Sequence, residues 1–69
     1  MATVVFSGEN YSAVTSVKTK TGEDLSSLLC RAVRKLYGKH AAILLDFDGD
    51  SGLIIGVENP RKVSIKITY

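Results

Sequence analysis

Asp46-Phe47-Asp48-Gly49-Asp50 places three carboxylates at alternate positions within five residues. Four kinds of chemistry use such a run: holding a divalent cation, supplying a nucleophile and a general acid, presenting a negative surface to a positive partner, or keeping a hairpin tip in water. The flanking segments, Ala41–Leu45 and Leu53–Val57, are among the most apolar in the chain. The chain as a whole is basic, with nine Lys and Arg against seven Asp and Glu and a net charge of +2. On extended backbone, carboxylates two residues apart lie about 6.5 Å from each other and repel by only ~0.6 kcal/mol in water. The run is therefore tolerable with no partner at all, and its chemistry has to be read from its context.

That context weakens the first two readings. As an EF-hand-type loop, Asp46, Asp48 and Asp50 would take positions 1, 3 and 5. Position 6 is then Ser51 instead of Gly, and position 12 is Val57 instead of a bidentate Glu. Ile43-Leu44-Leu45-Asp46-Phe47-Asp48-Gly49 resembles the first motif of the haloacid dehalogenase-like phosphatases. That resemblance implies Asp46 as nucleophile and Asp48 as general acid, with magnesium between them. In this chain Asp50 stands in place of the motif's Thr, and no acidic pair follows Pro60. The expectation is no catalysis, no metal and no cofactor.

Size and composition agree. A chain of 69 residues supports one core and buries only about 60% of its unfolded surface, leaving no room for a two-lobed cleft. Apolar residues make up 45% and charged ones 23%, with a single Pro, a globular composition. One Cys allows no internal disulfide and belongs to no zinc spacing, so a reduced, cytoplasmic setting is expected. Met1–Asn10 lacks a charged start followed by an apolar stretch, so no leader is expected. No apolar run approaches the ~20 residues that span a bilayer, so no membrane partner is expected.

The elements that must position the acids follow from periodicity. Thr3–Ser7 and Ala13–Thr19, rich in Val and Thr and separated by Gly8-Glu9-Asn10, predict a hairpin. From Glu23 to Tyr37 the apolar residues Leu25, Leu28, Leu29, Ala32, Val33 and Leu36 fall at helical spacing. Thr21 predicts the N-cap, with Asp24 three residues on, and Gly38 the residue beyond the C-terminus. Ala41–Phe47 and Leu53–Val57 predict two strands joined across Asp48–Gly52. After Asn59-Pro60, Val63–Tyr69 alternates apolar and polar as a half-buried strand. The order is ββαβββ in a single α+β domain, one amphipathic helix packed on a mixed four- or five-stranded sheet.

This order resembles the β-grasp fold of ubiquitin-like domains. Within it, Leu25–Asp50 is similar to the acidic type of PB1 interaction domain: a Leu-rich helix, an apolar strand and an Asp-x-Asp-Gly-Asp turn, matched by Asp46, Asp48, Gly49 and Asp50. The resemblance implies docking of the acidic cluster on a basic patch of another domain. Lys18 and Lys20, two apart on the predicted second strand, would form that basic half. The chain departs from the PB1 pattern in having only Glu58 as a downstream acid and no second helix before the last strand. The functional expectation is a protein–protein interaction module, self-associating or acting as a small adaptor or inhibitor, through Asp46, Asp48 and Asp50 and an exposed strand edge.

The alternative expectation is nucleic-acid binding. Arg31, Arg34, Lys35 and Lys39 fall on the helix face opposite Leu25, Leu29, Val33 and Leu36, and Arg61 and Lys62 add a second basic group. Few of the five aromatic residues are free for base stacking by this reading, since several belong to predicted core positions. Cys30 borders the apolar stripe and reads as a small hydrophobe. His40, the only histidine, has no nucleophile near it in sequence.

Overall fold

The computed structural model describes residues 1–69. Its elements are β1 (Ala2–Gly8), β2 (Tyr11–Val17), α1 (Leu25–Tyr37), β3 (Ala42–Leu45), β4 (Ser51–Ile55) and β5 (Arg61–Thr68). The strands form one five-stranded sheet in the order β2-β1-β5-β4-β3, compatible with a β-grasp-like arrangement. All four pairings are antiparallel, where a mixed sheet was expected. The reason lies in the connections. Parallel neighbours need a long crossover, and the crossover that carries α1 joins β2 to β3, the two outermost strands.

Alternation along each strand decides which face the helix covers. Ala2, Val4 and Phe6 on β1, Val17 on β2, Ile43 on β3, Ile54 on β4 and Val63 on β5 point inward and are buried. They meet Leu28, Leu29, Ala32 and Val33 of α1, with Phe6, Leu29 and Ile54 the largest fully buried side chains. The other face of the sheet carries no covering element, as antiparallel sheets permit.

Several boundaries differ from expectation. β2 stops at Val17 because its partner strand begins at Ala2, with which Val17 pairs. Lys18 and Lys20 therefore lie past the strand. The helix is capped by Asp24, whose Oδ1 accepts the Ser27 N–H at 2.9 Å, and not by Thr21. A carboxylate at that position satisfies one of the free amide donors of the first turn, and Ser27 holds the Asp24 carboxyl below its ordinary range. At the far end the Gly38 N–H closes the helix on the Arg34 carbonyl at 2.9 Å. β3 ends at Leu45, two residues short of Phe47, and β4 starts at Ser51.

Gly56 seats the β3–β4 hairpin at its open end. With φ +75 it sits in the region that favours glycine, and a Cβ there would lie 2.0 Å from the His40 carbonyl oxygen. The chain leaving α1 and the chain leaving β4 approach too closely for any side chain.

The acidic hairpin as candidate functional site

Register places the acids. Ile43 opposes Ile54 and Leu44 opposes Leu53, and the pairing continues one step as the Asp46 N–H donates to the Ser51 carbonyl at 2.9 Å. Beyond it the chain turns: the Gly49 N–H donates to the Asp46 carbonyl at 3.0 Å, and Gly49 takes φ +76. Asp48 Oδ1 accepts the Asp50 N–H at 3.0 Å, an Asx turn that stiffens the tip. The Asp50 carbonyl accepts the Ile65 N–H at 2.7 Å, tying the loop to β5. A Cβ on Gly49 would meet Leu25 Cδ2 at 3.2 Å, so the loop also rests against the first residue of α1.

The three carboxylates do different things. Asp46 accepts the Ser51 hydroxyl at 2.6 Å and pairs with Lys62 Nζ at 3.8 Å. Asp48 is engaged with the backbone, while Asp50 is exposed. Nowhere do three His, Cys, Asp or Glu side chains converge as metal ligands. Between Asp46 and Asp48, Phe47 is fully exposed, at 109% of its reference area. On the outer face of the same hairpin Leu44 and Leu53 are 57% and 38% exposed. The tip is thus acidic at its rim and apolar on its surface.

Comparison with protein-family models, with curated proteins and with solved structures gives no match. The site has to be judged on its own geometry.

Lys18 and Lys20 are both exposed, in the segment that leads from β2 into α1. Lys18 and Lys20 follow the β2 edge and the Asp46–Asp50 loop follows the opposite, β3 edge. Yet both reach the foot of the helix: Lys20 lines a hollow with Leu25, the residue against which Gly49 rests. The basic helix residues have separate tasks. Arg31 Nε donates to Glu23 Oε2 at 2.8 Å, and its Nη2 reaches both Glu23 Oε1 and the Lys18 carbonyl. Arg31 thereby holds the Glu23 carboxyl below its ordinary range. Lys35 Nζ donates to the Ser16 carbonyl at 2.6 Å. Ser16 is on the edge strand β2 and Lys18 directly follows its end, so these two cations cap the backbone of that edge and its exit. Arg34 and Lys39 are exposed. The Arg61 guanidinium sits 4.2 Å from the centroid of the Tyr11 ring, a cation–π contact, and Lys62 faces Asp46. Cys30 is half-buried against the core, and His40 is exposed. No helix is long and apolar enough to cross a membrane.

Phe47 is the residue that sequence reasoning missed. Reading Ala41–Phe47 as one strand gives Ile43, Leu45 and Phe47 the same inward parity. The signal was the Gly-Asp pair at Gly49 and Asp50: a turn closed by Gly49 must begin at Asp46, which removes Phe47 from the strand.

Proposed function

We propose that the chain is a non-catalytic protein-binding module whose contact surface is the β3–β4 hairpin. It acts by self-association or as a small adaptor or inhibitor of a larger protein, in a cytoplasmic setting. The observation that carries this reading is the complete exposure of Phe47 between two carboxylates. A tip that only had to stay soluble would use the acids and a polar residue. Covering a Phe side chain is worth roughly 1.5–3 kcal/mol, and a partner supplies that cover. The acids would steer a basic surface into register and contribute more to association rate and specificity than to affinity. The PB1-like turn supports the same reading from the sequence side.

Light scattering after size exclusion, at low and high salt, tests it. Wild type is compared with Phe47→Ser and with the combined Asp46→Ala, Asp48→Ala, Asp50→Ala variant. The expected result is self-association that weakens with salt and is lost in both variants. Self-association unchanged in both variants would sink the hairpin as the contact surface.

A further inference from the structure

The strand register gives the uncovered face of the sheet a definite order. Ser12, Ser7, Ser64 and Ser51 stand opposite one another across β2, β1, β5 and β4, and the row ends on Asp46, which accepts the Ser51 hydroxyl. On one side of this row lie Leu53 and Leu44, paired on β4 and β3 beside Lys62. On the other side lie Val5 and Val14, paired on β1 and β2 beside Lys66. Val14 is 58% exposed. The face therefore has two apolar corners diagonally opposed, with a lysine next to each and the carboxylate at the end of the serine row.

We infer that this face binds a second copy of the chain, with the two sheets crossed at about 90°, one of the two standard ways that sheets pack. This deepens the hairpin reading by naming its partner, and it rests on that reading. Charge decides the geometry among the two-fold arrangements that lay the face on itself. A two-fold axis along the strands sets Lys62 and Lys66 over their own copies, and an axis along the serine row sets Lys62 over Lys66. Two diagonal axes through Ser64 avoid both clashes. One sets Lys62, already paired with its own Asp46, on the other copy's Asp46 and leaves Lys66 among serines. The axis that gives Lys66 a partner is therefore favoured. It lays Leu44 and Leu53 on the other copy's Val14 and Val5 and Lys66 beside the other copy's Asp46 and Ser51. Lys62 then meets only Ser7 and Ser12. Five strands about 4.8 Å apart, each contributing about five residues, give a contact of roughly 400 Å² per copy. That is about half of the ~800 Å² per partner in a standard stable interface, so the dimer is weak and concentration-dependent.

Sedimentation velocity on the whole chain tests it, using wild type, Val14→Lys, Lys66→Asp and the double variant Asp46→Lys with Lys66→Asp. Circular dichroism confirms that each is folded, and Val14 and Lys66 are both exposed, so neither substitution disturbs the core. The expected result is a dimer for wild type, loss of dimer in Val14→Lys and in Lys66→Asp, and recovery in the double reversal, because each copy then offers the opposite charge to its mate. A Val14→Lys protein that dimerises like wild type overturns the inference. If the three-alanine variant of Asp46, Asp48 and Asp50 is then monomeric, the hairpin reading stands alone; if that variant also dimerises, both fall. A wild type that stays monomeric at every concentration overturns the crossed dimer.

Discussion

The two flanks of this molecule hold opposite charges in opposite ways. Along β2, Arg31 and Lys35 reach across from the helix and bond to the Ser16 and Lys18 carbonyls, and Arg31 is locked to Glu23. Along β3 and β4, Asp46 and Asp48 also accept hydrogen bonds, yet they sit beside a Phe with no cover and a Leu pair open to water. On the first flank the charges complete the fold: they blunt an edge strand that would otherwise accept another chain. On the second the charges rim an apolar surface that the fold leaves unfinished. A basic stripe in a sequence is thus no guide to a basic patch, because cations on long stems can turn inward to backbone carbonyls.

The largest predicted effect breaks the second flank outright. Gly56→Ala places a methyl group against the His40 carbonyl and strains a backbone at φ +75. We expect a loss of about 3 kcal/mol or more in a urea titration, among the larger effects of a single substitution. Next comes the first flank. Glu23→Gln removes the partner of Arg31, and melting temperature at neutral pH falls. Because the Glu23 carboxyl lies below its ordinary range in the folded chain, its contribution is present above the unfolded value and is lost as pH drops through the folded one. A pH series of thermal melts should therefore show a smaller acid loss in the variant than in wild type.

The third effect separates the flanks. Phe47→Ser removes a side chain that touches nothing, so stability should stay within about 0.5 kcal/mol of wild type while association is lost; thermal melts and light scattering on one preparation read both. The smallest effect is expected from Arg34→Glu with Lys39→Glu, two exposed cations with no partner in the fold. Association should be unchanged, and filter binding of a mixed-sequence oligonucleotide should be weak before and after. Strong binding in wild type, lost in this variant, would return the basic helix to the centre of the account.

Most of the fold was legible because the core is written in two clean periods. The helical stripe from Leu28 to Val33 and the alternation from Val63 to Ile67 each leave one orientation that buries apolar atoms. What the sequence hid was decided by partners distant along the chain. Val17 ends β2 only because Ala2 begins β1. Asp24, not Thr21, caps the helix, and Glu23 beside it bonds Arg31, eight residues on. The acidic run was legible as a candidate from its residue types, whereas the exposure of Phe47 depended on where the β3–β4 register closed. The serine row across four strands was invisible to any local window, since its members lie on four separate segments.

At the β3–β4 hairpin we propose that this protein meets a second copy of itself. Amide nuclear magnetic resonance spectra of ¹⁵N-labelled protein in a dilution series test it residue by residue. We expect concentration-dependent shifts at Leu44–Leu53, with Val14 and Lys66 moving alongside them, all reduced by salt. Shifts confined to Arg34, Lys39 and their neighbours on the helix, or a spectrum that does not change with concentration, would contradict it.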